Sequence, residues 1–464
     1  MPPTLDTAHA QLVVVSNRLP IAYQLEADGE KVASLSPGGL VAALGPALAG
    51  TGATWVGWDG TVDGSEEPLD VEGFRIQPVS LTADLIKGHY EGFSNGTLWP
   101  LFHNVGVPAR FSASWWDSYE RANEAFAERV AKVSPEGAIV FVQDYHLMLV
   151  PSLLRERRPD LTIGYFHHIP FPDPDTMAAL DQRAMVLQGL LGADIIGFQR
   201  QRDVEAFHKN TASVGVQVPG DHKVHVAAYP ISVDTAGVSQ AAQALKVQAR
   251  ASDLRKEWGN PSRVFLGVDR LDYTKGISER LQAFEELLAS GAASARDTVF
   301  VQAGSPSRET VQQYQALSAE IDEIVTRVNA KYPSGQERGA IVYLRENLPR
   351  EEMLALFVAA DVMVVTSLAD GMNLVAKEFV ACRSDDSGVL VLSSEAGAAE
   401  TMSEALLVNP FNKTEIVEAL EASLVLAHED LARRMAVLRR EVSTNDVARW
   451  ARAILADLET ARAN

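Results

Sequence analysis

Short apolar runs of strand length recur along almost the whole chain, with helix-type segments between many of them. They are Leu12–Ser16, Thr54–Trp58, Ala138–Gln143, Leu161–Phe166, Asp194–Phe198, Val224–Tyr229, Arg263–Val268, Thr298–Ala303, Ala340–Leu344, Asp361–Thr366, Val389–Ser393 and Ala405–Val408. Several are rich in Val and Ile and apolar on both faces, as strands in the middle of parallel sheets are. The spacing predicts helices over Ser278–Leu288, Glu309–Lys331, Arg350–Ala359, Lys413–Ala427 and Leu431–Val442. Alternating strands and helices imply α/β layers. A dozen strands exceed one ordinary open sheet, and 464 residues exceed one core, so the chain reads as two domains. The boundary falls in the polar, helix-like stretch between Ser232 and Ser262, because the rhythm restarts at Arg263. The domains are drawn at residues 1–240 and 241–442, with 443–464, around Trp450, as a C-terminal helix packing back toward the first.

The formal net charge of −20 argues against nucleic acid or an anionic membrane as partner, and it makes a local cluster of Arg and Lys informative. The single cysteine, Cys382, excludes an internal disulfide and a Cys-based zinc site, and it falls on the apolar side of a predicted helix. Met1 to Ala10 lack a basic start and an apolar run, and no run reaches membrane-spanning length, so a cytoplasmic protein is expected. There is no Walker A segment, no G-x-G-x-x-G opening a helix, no H-E-x-x-H and no G-x-S-x-G, which removes most support from the corresponding enzyme classes.

The residues with chemistry lie mostly just past the C-terminal ends of predicted strands, the edge where open parallel sheets bind ligands. Ser16-Asn17-Arg18-Leu19-Pro20 places Arg18 at a strand tip, suited to a phosphate or carboxylate. Gly38-Gly39 precedes the helix-like Val41–Leu48 and permits close approach to a phosphate. Asp144 follows one run and His168 follows the next, so both can line one cleft. From the residues alone the plain alternatives stay open: a surface salt bridge for Arg18, a flexible linker at Gly38-Gly39, a capping role for Asp144 and a satisfied core position for His168. Arg270 and Lys275 bracket a turn ahead of a helix, and two cations with a helix N-terminus suit a pyrophosphate leaving group. In Ser367–Glu378 a strand runs through Asp370-Gly371 into a helix, whose start favours an anion. There Asp370 could take sugar hydroxyls and Glu378 a ribose diol, with an ordinary strand–turn–helix connection as the open alternative. Tyr90, Trp99, Trp116 and Tyr119 form an aromatic region, for most of which core packing is the default reading.

Taken in order, SNRLP from Ser16, SPGGL from Ser36, TWVGWDG from Thr54, YEGFSNGTLWPLFH from Tyr90, QDYHL from Gln143, FHHIPFP from Phe166, DRLDYTKG from Asp269, SPSRE from Ser305, DGMNLVAKE from Asp370 and GVLVLS from Gly388 resemble the α,α-trehalose-phosphate synthases, the retaining glycosyltransferases of family 20. The resemblance covers about residues 11 to 460. It implies a GT-B fold, two Rossmann-like domains facing across a cleft, and transfer of glucose from a nucleoside-diphosphate glucose to glucose 6-phosphate without a metal or other cofactor. It further implies that Arg270 and Lys275 hold the donor diphosphate, that Gly38 and Gly39 lie in a loop closing over it, and that Asp370, with the backbone of Asn373, Leu374 and Val375, supports the donor sugar and phosphates. Glu378 is then the ribose ligand, Leu348 belongs to the base-binding segment, and His168 touches the donor sugar near the reacting centre. Asp144 and Trp58 fall on the acceptor side, while Arg18, Tyr90, Trp99 and Arg308 hold the acceptor phosphate. Arg270, Lys275, His168 and Asp144 are the expected catalytic set. Uridine, guanosine and adenosine donors all stay open, and Ala369 stands where some family members carry Arg. Family members are commonly dimers or tetramers, so a homo-oligomer is expected. A relative coupling a different pair of sugars, or a silent sugar-phosphate sensor, would be expected to lose some of these residues, and Arg270, Lys275, Asp370 and Glu378 are all present.

Overall fold

The computed structural model describes residues 12–25, 31–35, 53–218, 222–306 and 312–463. Gly38, Gly39, the Val41–Leu48 segment and Arg308 lie outside the described residues. Two compact units result, one holding the described residues up to Ile231 together with those from Ala448, the other spanning Ser232–Val447.

In the first unit the strands are β1 (Leu12–Arg18), β2 (Ile21–Leu25), β3 (Lys31–Leu35), β4 (Thr54–Trp58), β5 (Leu69–Val71), β6 (Phe74–Pro78), β7 (Ile139–Gln143), β8 (Thr162–Phe166), β9 (Ile195–Phe198) and β10 (His225–Ala228). Among the described residues eight of them form one sheet in the order β10-β9-β8-β7-β1-β4-β6-β5. Only β5 runs antiparallel to its neighbour, and β2 pairs with β3 as a separate antiparallel ribbon. The central strands β4, β7 and β8 are buried at every position, which is why their sequences are apolar on both faces. The chain adds β4 and β6 on one side of β1, then returns to add β7 on the other. That reversal makes the gap between the C-terminal ends of β1 and β7 a topological switch point.

Between β6 and β7 a helical segment runs from Ala83 to His103, and its middle, Ile86–Leu98, is wound with i→i+5 bonds as a π-helix. Glycines line its contact with the helix Ala113–Val133: a Cβ on Gly88 would lie 2.2 Å from Ser118 Oγ, and one on Gly92 2.6 Å from Trp115 Cγ. Two helices therefore approach closely where any side chain would force them apart.

The second unit contains β11 (Arg263–Arg270), β12 (Thr298–Ser305), β13 (Ile341–Leu344), β14 (Val362–Val365), β15 (Val389–Ser393) and β16 (Leu406–Val408). They are all parallel, in the order β13-β12-β11-β14-β15-β16. Here the switch point falls between β11 and β14, because the chain builds outward to β13 and then crosses back. The polar stretch after Ile231 is helical at Thr235–Ala242 and Leu245–Glu257, and Cys382 is buried. No helix among the described residues is long and apolar enough to cross a membrane.

The last helix, Val447–Ala463, lies mostly with the first unit. Trp450 packs edge-on against Phe166 at 5.2 Å and touches Phe141 at 6.4 Å, and its indole N–H donates to Tyr229 O at 3.1 Å. Trp450→Ala should therefore destabilise the first unit by about 3–5 kcal/mol. Amide hydrogen exchange would read this as lost protection in β7 and β8, and unchanged protection there would show that the helix adds nothing to that core.

Candidate active site

In the second unit the loops leaving β11, β14 and β15 are tied into one frame. β11 ends at Arg270, whose register partner is Ser305 at the end of β12. Asp272 then accepts from Thr274 N at 3.0 Å and from the Tyr314 hydroxyl at 2.9 Å, fixing a short 3-10 turn, Tyr273–Lys275. Gly276 follows at φ +59°, and a Cβ there would fall 2.0 Å from Thr366 O, so the turn and the end of β14 meet only through glycine. Leu368 N donates to Thr274 O at 2.7 Å, and the Thr366 hydroxyl donates to Gly276 O at 2.7 Å. From β15 the Ser393 hydroxyl donates to Ser367 O at 2.6 Å, and Ala398 N donates to Met372 O at 2.8 Å.

Within that frame the Lys275 ammonium lies 2.7 Å from Asp370 Oδ2. Asp370 Oδ2 also accepts from Asn373 Nδ2 at 3.2 Å and from the Ser367 hydroxyl at 3.3 Å. Burial opposes the charge on Lys275, but Asp370 and then Asp269 outweigh it, and the ammonium pKa is raised. Arg270 is near enough for its charge to oppose that of Lys275, so the two cations share one region. Beneath them Arg280, fully buried, donates to Asp269 at 2.7 Å and to Gln302 Oε1 at 2.9 Å. Asn373 sits at φ +90° and caps the helix Leu374–Cys382 by accepting from Ala376 N at 2.9 Å. That helix keeps Leu374, Val375 and Glu378 half-buried on one side and buries Ala376, Lys377 and Phe379 on the other. Burial raises the Glu378 carboxyl pKa, against the opposing charge of Arg350. Leu348 is half-buried in the loop after β13, two residues before Arg350.

The first unit assembles its residues at the ends of β1, β4, β7 and β8. Arg18 ends β1 with its guanidinium 4.8 Å from the Trp58 ring centroid. Gly60, at φ +93°, leaves room for it, since a Cβ there would lie 1.8 Å from Arg18 Nη1. Trp58 meets Tyr90 edge-on at 5.7 Å, Tyr90 stacks on His146 at 5.8 Å, and His146 touches Tyr145, which reaches Trp99 at 5.7 Å. The helix Ala113–Val133 holds this turn: Tyr119 donates to Tyr145 O at 2.7 Å, and Asn123 donates to His146 O at 3.0 Å. Tyr119 and Trp116 are buried there, in the packing role expected of them.

Asp144 and His168 come together as well. Asp144 has φ +71° and ψ 168°, a conformation in which glycine is the usual residue. Its Oδ1 accepts from His168 N at 3.1 Å, and the His168 ring bonds Gln143 Oε1 through Nε2 at 3.0 Å. His168 is half-buried, and burial of its ring lowers its pKa to about 4. Among the described residues no group of three His, Cys, Asp or Glu is placed to hold a metal.

Sequence reasoning did not single out His146, Asp269 or Arg280 for a role. The signal for Arg280 is its place on the apolar stripe Ile277, Leu281, Phe284, Leu288, where a charge needs a buried partner.

The neutral imidazoles make a pH prediction. Burial holds His89 and His167 at about 3, against 6.5 for a free side chain. The unfolded chain therefore binds more protons than the folded one below about pH 6.5. Stability from these groups is complete above that pH and is lost as pH falls, by on the order of 1 kcal/mol per histidine at pH 5.5. The urea midpoint should drop between pH 7.5 and 5.5, and a flat profile would contradict the buried neutral state.

Comparison with known proteins gives this geometry a family. Residues 10–460 match the model of glycosyltransferase family 20. The trehalose-6-phosphate synthase of Mycobacterium sp. (strain KMS) is 46% identical, over 99% of this chain and 97% of that protein. That of Mycolicibacterium smegmatis is 45% identical over 96% of this chain and 92% of that protein. Among solved structures, an α,α-trehalose-phosphate synthase (UDP-forming) from Burkholderia vietnamiensis is 34% identical with a TM-score of 0.89, covering 97% of this chain and 100% of that one. The trehalose-6-phosphate protein from E. coli bound with UDP-2-fluoro glucose is 31% identical with a TM-score of 0.87, covering 97% of this chain and 99% of that one. The likeness extends to the fold class, α/β of GT-B type with two parallel-sheet units. The chain is a glycosyltransferase and belongs to glycosyltransferase family 20.

Proposed function

We propose that this chain transfers glucose from a nucleoside-diphosphate glucose to glucose 6-phosphate, with retention and without a metal, forming trehalose 6-phosphate. The observation that carries the reading is the Lys275–Asp370 pair at the switch point of the second sheet, 2.7 Å apart with Arg270 close by. A charged ammonium has three donors, so Lys275 can hold Asp370 and still donate to a diphosphate. Asp370, held by Lys275, Ser367 and Asn373, is a fixed acceptor suited to the hydroxyls of the donor glucose. The helix start at Leu374 adds backbone N–H groups for the phosphates, and Glu378 on the same face suits the ribose. In the first unit Arg18 over Trp58, with Tyr90 beside it, suits the phosphate of the acceptor, and the structural relatives include one described in complex with glucose-6-phosphate. Gly38, Gly39 and Arg308 are carried into this reading by their motifs alone.

The chemistry follows from the charges. The acceptor 1-hydroxyl attacks the donor anomeric carbon on the face from which the diphosphate departs. The C1–diphosphate bond breaks, and the departing oxygen takes the hydroxyl proton. Lys275 and Arg270 stabilise the charge that grows on that oxygen, which makes a metal counter-ion unnecessary. His168, neutral at pH 7 because its pKa is lowered to about 4, offers a polar edge without a competing charge.

The assay uses glucose 6-phosphate with UDP-, GDP- and ADP-glucose in turn, a chelator present. Trehalose 6-phosphate from at least one donor is expected, and absence of product with all three would overturn the reading. Lys275→Ala should lower turnover at least about 100-fold, the scale for removing one charge-stabilising donor. Turnover near that of the unaltered chain would remove Lys275 from the mechanism.

A further inference from the structure

We infer that His89 is a positioning residue for the acceptor phosphate, acting through Asn17. The inference rests on the acceptor reading given above. His89 Nε2 and Asn17 Oδ1 are 2.9 Å apart, and both side chains are buried, at 0% and 4% exposure. It is the one side-chain hydrogen bond that either residue makes among the described residues.

The place of this bond in the chain gives it meaning. Asn17 directly precedes Arg18, and His89 directly precedes Tyr90. One contact therefore joins the two backbone segments that carry the cation and the ring proposed to hold the phosphate, segments 72 residues apart in sequence. It ties the end of β1 to the π-helical stretch Ile86–Leu98. The His89 ring also lies 5.4 Å from Tyr119 and 6.4 Å from His146, the ring on which Tyr90 stacks.

Packing alone does not ask for an imidazole here. A dry, fully enclosed position favours an apolar ring, and a polar one is costly to bury unless its bond is made. Burial keeps the ring neutral, with a pKa near about 3, so His89 contributes no charge toward a phosphate. Neutral His89 in the Nε2–H tautomer donates to the Asn17 amide oxygen, and the benefit reaches the ligand only through Arg18 and Tyr90.

The test is steady-state kinetics on His89→Phe, His89→Gln, Arg18→Ala and the double variant His89→Phe/Arg18→Ala. His89→Phe should raise KM for glucose 6-phosphate about tenfold, with kcat and the donor KM within about twofold. His89→Gln, whose amide can donate to the same oxygen, should recover most of that loss. In the Arg18→Ala background His89→Phe should add clearly less than its tenfold effect alone, because one of the two groups it positions is gone. Unchanged KM in His89→Phe, or effects that multiply in the double variant, would overturn the assignment. If His89→Phe does not fold, Asn17→Ser breaks the same bond from the other side and must give the same acceptor-specific rise. An unaltered chain that neither binds nor uses glucose 6-phosphate overturns the acceptor reading and this assignment together, whereas a normal KM that His89→Phe leaves unmoved overturns the assignment alone.

Discussion

The Lys275–Asp370 ion pair is the contact around which the second unit is arranged. A largely buried pair gains little unless its geometry is held and its remaining donors and acceptors are used. The chain meets that condition with almost every residue of the turn. Asp269 is paired with buried Arg280, Leu271 N donates to Ser305 O at 2.8 Å, and Asp272 accepts from Thr274 and Tyr314. Thr274 O takes Leu368 N, and Gly276 O takes the Thr366 hydroxyl. A long contiguous motif is the natural outcome, since each position has a partner fixed by the two flanking strands. Removing any one partner leaves a buried polar group unpaired, which costs more than the bond itself contributes.

The first unit solves the matching problem with little charge. Arg18 stands at the exposed end of β1, and behind it Trp58, Tyr90, His146, Tyr145 and Trp99 form a connected set of rings. His89 and His167 are buried neutral. A single cation on a rigid aromatic wall keeps most of its hydration until an anion arrives, and the ring beneath it limits its rotamers. The second unit instead keeps Lys275 largely buried and paired with Asp370, and exposed Arg270 lies close by. In the proposed reaction the paired cation faces a leaving group whose charge grows, and Arg18 faces a phosphate already fully charged.

How much of this was legible follows from the physics of each element. Every one of the twelve apolar runs became a strand of β1, β4 or β7–β16, and those covered on both faces, such as β4, β7 and β8, leave the clearest apolar signature. Arg270 and Lys275 showed as cations at a strand end, where structural need alone does not explain both. The ribbon β2–β3 and the strand β5 were not legible: Ile21–Leu25 and Lys31–Leu35 mix polar with apolar residues, and Leu69–Val71 is too short to give a run. The π-helical stretch Ile86–Leu98 was not legible either, since glycine inside a helix weakens its local signal, while its glycines serve close approach to the helix Ala113–Val133. His89 was missed because its meaning is a contact with Asn17 across the fold, and no local pattern records that.

Two residues show what the strand ends give up to carry side chains. Asp144 follows β7 at φ +71°, and Asn373 precedes the helix Leu374–Cys382 at φ +90°. Each conformation costs on the order of 1–3 kcal/mol for a residue with a Cβ, and glycine would relieve it. Each side chain returns part of that through a bond to backbone: Asp144 accepts from His168 N, and Asn373 accepts from Ala376 N. What glycine lacks at both positions is a polar group at the C-terminal edge of a parallel sheet, beside a switch point in one unit and beside Asp370 in the other. Backbone strain of this kind clusters at functional sites, and both residues stand at strand ends among the candidate site residues.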